Sequence, residues 1–232
     1  MIKDYYDYCK DRHKGSRAFV VGAGTSLYGL NIDFIHKDVV ISINSSIILM
    51  PWEDGSDDKR YWISNDALCR KWNWWNKVKN SKSVKIVRNS WEKYFEELEG
   101  HNFYKFDPRK TPEHIVEEND NGLCYCSSVP SGIDLAMKMG CSEIVLLGVD
   151  QYMIGNKSHF WQFYPICDQP KKEDGHIATF SQQKWTFSYN DRAYYAISEL
   201  AKSKNIKIYN ANLKSRVNVF EKKDLSFFEN LK

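Results

Sequence analysis

A short apolar run that ends in two glycines and two hydroxyl residues constrains the fold of this chain more than any other stretch. Residues 17–27 are Arg-Ala-Phe-Val-Val-Gly-Ala-Gly-Thr-Ser-Leu, and the apolar part has the length and β-branched character of a strand covered on both faces. Gly22 and Gly24 let backbone N–H groups approach a ligand closely, and Thr25 or Ser26 is placed to cap a following helix. The stretch predicts a buried strand, a tight turn and a helix N-terminus that can bind a phosphate.

The two glycines also have a purely geometric explanation. The stretch lacks the third glycine of the dinucleotide-binding fingerprint, and a tight strand-to-helix turn can use two glycines for its backbone geometry alone. From this motif, phosphate binding and a plain turn are equally well supported.

The length of 232 residues suits one α/β domain over residues 1–232, and the glycine turn makes nucleotide binding its expected role. The 33 basic and 30 acidic residues nearly balance, which argues against a dedicated nucleic-acid binder. The six cysteines lack Cys-x-x-Cys spacing, so we expect reduced, mostly buried thiols and no metal site. The charged, aromatic N-terminus is unlike a signal peptide, and no apolar run is long enough to span a membrane, which predicts a cytoplasmic protein.

Polar residues follow several of the predicted strands directly. The further strand candidates are residues 39–43, 61–64, 84–87, 143–147 and 206–209. Asn44 and Asn65 follow two of them, and Gly148 and Asp150 follow the strand at 143–147. Because ligands bind at the carboxyl ends of parallel strands, we expect these residues near a ligand. For Asn44, a role confined to capping or turning the chain is the alternative.

A hydroxyl-rich helix start completes this pattern. Residues 127–132 are Ser-Ser-Val-Pro-Ser-Gly, and an apolar helix over 133–139 follows them and ends at Gly140. Ser131 and Gly132 therefore belong at the ligand-facing edge of the sheet. Together these elements predict a Rossmann-like, mostly parallel sheet flanked by helices.

A long, ring-rich segment in the C-terminal half of the chain shows little periodicity. We interpret residues 151–189 as a lid inserted in the domain, because a loop of this length without its own secondary structure tends to be functional. A clear helix over 191–204, capped near Asn190, follows it. The remaining expectations are an amphipathic helix over 1–15, an acidic helix over 92–100, a polar excursion over 101–122 with a helix near 113–118, and a surface helix within 219–232.

Three tryptophans, Trp72, Trp74 and Trp75, lie among basic residues. They could stack on a sugar or a base, but a helix that docks its tryptophans into the core is the more common arrangement. Binding of nucleic acid is therefore not expected.

The sequence resembles the lipooligosaccharide sialyltransferases of glycosyltransferase family 42, and also the superfamily of 6-hydroxymethylpterin diphosphokinase-like proteins. The resemblance rests on Val-Val-Gly-Ala-Gly-Thr-Ser-Leu at residues 20–27, Ile-Asn-Ser at 43–45, and Pro-Ser-Gly followed by a helix and Leu-Leu-Gly-Val-Asp-Gln-Tyr up to Tyr152. These motifs are short, although they span most of the chain.

The resemblance implies a role for each matching residue. Residues 22–26, Gly-Ala-Gly-Thr-Ser, would line the nucleotide, and Asn44 and Asn65 would lie near the transferred group. Ser131 and Gly132 would hold the sugar or carboxylate of the donor. Gly148 and Asp150 would lie by the base and ribose, and Tyr152 would donate a hydrogen bond to the departing phosphate without a metal.

The chain departs from the sialyltransferase pattern at three places. Ala23 stands where the sialyltransferases have an asparagine, the second lid tyrosine falls near His159, and their general-base histidine aligns roughly with Phe187. His176 and His159 are the available replacements for that base, since an imidazole can take a proton from an acceptor hydroxyl. A lid histidine that is merely hydrogen-bonded or solvated is the alternative for either one.

The leading hypothesis is a transferase that moves a sugar from a nucleotide-sugar, of which a CMP-linked sugar is one example, to a hydroxyl acceptor such as a glycan. It requires no further cofactor. Diphosphoryl transfer from ATP to a pterin-like alcohol, with Asp150 and Asp66 holding Mg²⁺, is the second hypothesis. A nucleotide-binding module without catalysis is the third. The sequence leaves open whether the chain forms a homo-oligomer.

Overall fold

The apolar runs of the sequence form neighbouring strands of one parallel sheet. The computed structural model describes residues 2–50, 58–108, 121–124, 127–171 and 180–229, with the backbone alone over 180–186. The strands are β1 (Lys3–Asp4), β2 (Arg17–Val21), β3 (Val39–Ile43), β4 (Arg60–Ser64), β5 (Val84–Arg88), β6 (Phe103–Phe106), β7 (Glu143–Leu147), β8 (Lys207–Asn210) and β9 (Glu221–Lys222). Within the described residues these nine strands are all parallel, in the order β1-β6-β5-β4-β3-β2-β7-β8-β9.

Helices connect the strands and cover the sheet. They are α1 (Tyr6–Cys9), α2 (Trp75–Asn80), α3 (Phe95–Leu98), α4 (Ser128–Lys138), α5 (Phe180–Ser203) and α6 (Leu225–Glu229), together with several short 3₁₀ turns. This arrangement confirms the predicted Rossmann-like α/β class. None of the helices described is both long and apolar enough to cross a membrane.

The order of the strands reverses next to β2. The chain runs outward from β2 through β3, β4 and β5 to β6, and then returns to place β7 on the opposite side of β2. The register pairs Arg17 with Glu143 and Val21 with Leu147, so the two strands end together. In open α/β sheets, such a point of reversal leaves a crevice beyond the carboxyl ends of the strands, where ligands bind.

Side chains of the central strands alternate between two buried layers. Ala18 and Val20 of β2 pack in a cluster that includes α4 and α5, whereas Phe19 and Val21 pack in a second cluster on the other face. A strand covered on both faces needs apolar residues at successive positions, which explains why the runs in the sequence are continuous.

Tryptophan side chains fill much of the second layer. Trp62, Trp75 and Trp91 lie with ring centroids 5.9 to 6.3 Å apart, and Trp74 beside them is 7% exposed. Trp72 packs against the same layer at its edge. Trp75 on α2 and Trp74 directly before it are therefore docked into the core, as predicted, whereas Trp72 is partly exposed and precedes the helix.

The cysteines also fit a structural role. Four of the five described cysteines are buried, and Cys167 is exposed. Burial raises the pKa of Cys9, Cys69 and Cys141 to about 12, so these thiols stay protonated at neutral pH.

Several sequence-based boundaries were wrong, mostly at the edges of the sheet. The excursion over 101–122 contains β6, and the stretch over 1–15 contains β1, which pairs with β6 ahead of the four-residue helix α1. These strands are short and partly polar, so their periodicity is too weak to detect. The segment over 92–100 forms parts of a 3₁₀ turn and α3, and the tail contains β9 as well as α6. The helix expected near 113–118 lies outside the described residues.

Gly148, directly after β7, adopts a conformation and a contact that only glycine allows. Its φ is +61°, and a Cβ atom there would lie 2.4 Å from Cδ1 of Leu27, a side chain that is 2% exposed. Gly155 also has a positive φ, of +57°, but a Cβ atom there would have no neighbour within 4 Å. Substitutions at the two positions therefore distinguish the cost of backbone strain, which both share, from the cost of a steric clash, which only Gly148 has.

We expect Gly148→Ala to lower the free energy of unfolding by about 2–4 kcal/mol, because it adds a clash to the cost of a left-handed alanine. Gly155→Ala should lower it by only about 1 kcal/mol, the backbone contribution alone. Urea unfolding followed by circular dichroism measures both. Equal losses in the two variants would contradict the packing assigned to Gly148.

Candidate active site

The turns after β2 and β7 lie against each other at the reversal point of the sheet. The amide of Gly22 donates to the carbonyl of Leu147 at 2.8 Å, and the amide of Gly24 donates to the carbonyl of Gly148 at 2.8 Å. A Cβ atom on Gly22 would lie 2.5 Å from the Gly148 oxygen, and one on Gly24 would lie 2.5 Å from Oδ2 of Asp150. Both glycines are thus needed for contact between the two turns.

Asp150 is held by hydrogen-bond donors on both sides of its carboxylate. Oδ2 accepts from the Ser26 amide at 2.8 Å and from Thr25 Oγ1 at 3.2 Å, and Oδ1 accepts from Ser26 Oγ at 2.6 Å and Asn212 Nδ2 at 2.8 Å. The residue is 3% exposed. A buried carboxylate is stable only with such a set of donors, so Asp150 ties the turn after β2 to the loop after β8.

The predicted helix N-terminus after Gly24 is not present. Thr25–Leu27 forms a single 3₁₀ turn, and within the described residues no α-helix lies between β2 and β3. The donors of Thr25 and Ser26 are directed to Asp150. The turn therefore does bind an anion, but the anion is a carboxylate of the same chain.

The loop after β8 also holds the backbone of the turn after β7. Asn210 Nδ2 and Ser215 Oγ both donate to the carbonyl of Val149, at 2.9 and 2.8 Å, and the amide of Arg216 donates to the carbonyl of Asp150 at 2.9 Å. The sequence places these polar residues after the last predicted strand, but it does not indicate that they hold the end of β7.

A cavity of about 180 Å³ opens beside this network at the carboxyl ends of β2, β3 and β7. Of the residues predicted from sequence, it is lined by Ala23, Gly24, Asn44, Gly148, Asp150, Tyr152 and His159. The N-terminus of α4 contributes Ser127, Ser128 and Val129. A second cavity, of about 390 Å³, shares Gly148 and Tyr152 with the first and includes Ser26.

Asn44 turns the chain at the end of β3 as well as lining the cavity. Its φ is +50°, a left-handed conformation that asparagine tolerates better than most residues. Its carbonyl accepts a hydrogen bond from Trp62 Nε1 at 2.9 Å, which fixes the turn on the tryptophan layer. Asn44 therefore both turns the chain and lines the cavity.

The structure places three other predicted residues behind the cavity wall. Asn65 and Ser131 are hydrogen-bonded to each other, with Nδ2 and Oγ 3.0 Å apart, and they join the end of β4 to α4. A Cβ atom on Gly132 would lie 2.7 Å from Cδ1 of Ile43, so this glycine lets α4 pack closely on the sheet. None of the three lines the 180 Å³ cavity.

Tyr152 lies between the two cavities. Its hydroxyl is 3.4 Å from Nδ2 of Asn212, the amide that also donates to Asp150. The network around Asp150 therefore positions the tyrosine, and its phenol faces the space where a ligand can bind.

His159 is packed on aromatic and polar neighbours at the cavity wall. Its ring stacks on Trp161, with centroids 5.4 Å apart, and Nδ1 shares a hydrogen bond with Ser158 Oγ at 2.8 Å. Trp161 in turn donates to Ser45 Oγ at 3.2 Å. Burial lowers the pKa of His159 to about 4, so the imidazole is neutral at pH 7.

The segment after β7 is docked on the sheet. The amide of Phe160 donates to the carbonyl of Ala23 at 3.0 Å, the Phe160 side chain is fully buried, and Trp161 packs edge-on against Trp72 at 5.5 Å. Residues 180–189, which the sequence assigned to the lid, belong to the first part of α5. The polar composition of that stretch hid its helical character.

Sequence reasoning missed the contribution of α5 to the site. Phe187, Asn190 and Tyr194 line the cavity from this helix, and Gln151 joins it to β7 through a hydrogen bond from Nε2 to the Phe187 carbonyl at 3.2 Å. Asn190 lies within α5 and does not cap its start. Its spacing of three to four residues from Phe187 and Tyr194 is the signal that could have placed all three on one helix face.

The remaining predicted site residues are His176, the second candidate base, and Asp66, a candidate magnesium ligand. His176 lies outside the described residues. Asp66 accepts a hydrogen bond from the Leu68 amide at 2.8 Å and is exposed. Over the part of the chain that the structure describes, no three His, Cys, Asp or Glu side chains are grouped so that they could hold a metal ion.

Comparisons with known proteins reveal similarity in structure. No family model matches the sequence, and no curated protein matches it significantly. The MAf glycosyltransferase from Magnetospirillum magneticum AMB-1 is similar over 95% of this chain, with a TM-score of 0.57 and 14% identity. The match covers 35% of the MAf chain, so this chain spans about a third of the length of that protein. The sialyltransferase CstII from Campylobacter jejuni, in complex with the substrate analogue CMP-3FNeuAc, matches 94% of this chain and 89% of its own, with a TM-score of 0.50 and 13% identity. At these identities the similarity shows a shared fold.

We expect Asp150→Asn to lower the free energy of unfolding by about 2–4 kcal/mol, because an amide nitrogen would face donors that now bind a carboxylate oxygen. Asp224→Asn is the control, since Asp224 is exposed and accepts from the amide and hydroxyl of Ser226. Its stability should stay close to that of the wild type. Chemical denaturation measures both, and a small effect at Asp150 would refute its role in joining the loops.

The pKa of His159 predicts a pH dependence of stability. An imidazole with a folded pKa of about 4 and an unfolded value near 6.5 binds its proton more readily in the unfolded chain. Its contribution is therefore complete above pH 6.5 and is lost as the pH falls toward 4.

Between pH 7.5 and 5 we expect the wild type to lose about 1–2 kcal/mol more stability than His159→Gln does. The comparison with the variant is needed because burial also lowers the pKa of His13. Denaturation at several pH values checks this, and parallel pH profiles would show that His159 titrates normally.

Proposed function

We propose that this protein is a glycosyltransferase that moves a sugar from a nucleotide-sugar donor to a hydroxyl acceptor, with the donor bound in the 180 Å³ cavity. The observation that carries the proposal is the position of this cavity, at the reversal point of a parallel sheet and against the N-terminus of α4. The shared fold with two glycosyltransferases supports it.

The N-terminus of α4 suits the diphosphate or phosphate of such a donor. The helix has eleven residues, and the N–H groups of Ser128 and Val129 in its first turn have no partner within the helix; Pro130, the third residue, has no N–H. Ser127 and Ser128 add hydroxyls at the same point of the cavity wall. Partial positive charge and free donors together favour an anion there.

Transfer would break the bond between the sugar and the phosphate and form a bond to the acceptor oxygen. The leaving nucleotide gains negative charge, which the Tyr152 hydroxyl can stabilise through a hydrogen bond. The acceptor hydroxyl loses a proton, for which His159 and His176 are the candidate bases. A bound phosphate would raise the low pKa of His159, because a nearby negative charge favours the imidazolium form.

Calorimetry with CMP, CDP, UDP, GDP and ATP, each with and without Mg²⁺, tests this proposal. We expect binding of CMP, or of another nucleotide product of sugar transfer, that does not depend on the metal. The nucleotide that binds then names the donor to use in a transfer assay. Binding of ATP only with Mg²⁺, or no binding by any nucleotide, would contradict the proposal.

A further inference from the structure

One asparagine in the cavity wall is buried without the hydrogen bonds that a buried amide needs. Asn190 is 6% exposed, and its Oδ1 is shielded from solvent with no hydrogen-bond partner. Among the residues that the structure describes, none forms a hydrogen bond with either end of this side-chain amide. Asn190 lines the cavity from α5, between Phe187 and Tyr194.

Asn210 shows how the fold treats a comparable residue that serves the structure alone. It is fully buried, its Nδ2 donates to the Val149 carbonyl at 2.9 Å and to Ser215 Oγ at 3.0 Å, and its Oδ1 accepts from the Asn212 amide at 3.0 Å. Burial of an unpaired amide lowers stability, whereas a paired one is neutral or favourable. Asn190 therefore needs an explanation that Asn210 does not.

A second unpaired polar atom belongs to a residue that lines the same cavity from a different helix. Ser127, at the N-terminus of α4, has a buried Oγ without a hydrogen-bond partner, and it does not cap the helix through its side chain. A ligand in the cavity would lie between Asn190 on α5 and Ser127 on α4. Both residues line the cavity, and both atoms lack a hydrogen-bond partner within the described chain.

We infer that the side-chain amide of Asn190 hydrogen-bonds directly to the ligand and selects for an uncharged polar group, a hydroxyl or an amide, at that point. This inference rests on the proposed function, in which the sugar and base of a nucleotide-sugar offer such groups. An amide both donates and accepts, so it can pair with either group. A ligand that is apolar there would leave the amide unpaired and would be rejected.

The first test measures the melting temperature of the ligand-free protein. Asn190→Leu keeps the number and branching of the side-chain heavy atoms but removes the unpaired amide, so we expect the melting temperature to rise by about 2–4 °C. Asn210→Leu, the matched control, should lower it because it breaks three hydrogen bonds. A fall in both variants would show that the Asn190 amide stabilises the ligand-free fold, which would overturn the inference.

The second test measures the affinity for CMP by calorimetry. We expect Asn190→Leu to bind about tenfold more weakly than the wild type although it is more stable, since the ligand group loses its partner. Unchanged affinity would overturn the inference. If the wild type binds neither CMP nor any other nucleotide of the series, the proposed function fails. The inference about Asn190 is then tested by the melting temperature of Asn190→Leu alone: a rise supports a ligand-facing amide, and a fall overturns it.

Discussion

The hydrogen bonds to the buried carboxylate of Asp150 determine how the loops at the ligand-binding edge are arranged. A carboxylate that is 3% exposed needs donors that replace the water it has lost, and four of them come from the turn after β2 and the loop after β8. These segments are therefore fixed relative to the end of β7. Because Tyr152 follows two residues later and contacts the same Asn212 amide, its position depends on that network as well.

The sequence was sufficient to locate the central strands and the edge at which they end, because both depend on local patterns. The β7 strand, Glu143–Leu147, has the predicted bounds, and β2 and β4 differ from prediction by one residue at the start. The role of the glycine turn was different. Its donors bind a carboxylate that lies about 125 residues further along the chain, and no local pattern reveals a pairing over that separation. The edge strands and the first part of α5, residues 180–190, were missed because their own periodicity is weak.

The two faces of the sheet are covered by different kinds of structure. One face is packed against α4, whose N-terminus lines the cavity, and α5, whose middle part lines it; the other face is covered mainly by tryptophans and short turns. Trp161 links the second layer to the site, because it stacks on His159 and packs against Trp72. The low pKa of His159 is thus a consequence of aromatic packing that begins in the core.

The polar groups around the cavity differ in how fully they are hydrogen-bonded, and this difference separates structural from ligand-facing residues. Asp150, Asn210 and Ser131 have partners supplied by the chain itself, so the fold needs them whether or not a ligand is present. Asn190 Oδ1 and Ser127 Oγ are also buried but lack such partners. Since native proteins leave few buried polar atoms unpaired, atoms that remain so beside a cavity are the ones that a ligand is best placed to satisfy. Asparagine and serine occur in both groups, so residue type does not distinguish them, whereas the hydrogen-bonding pattern of the folded state does.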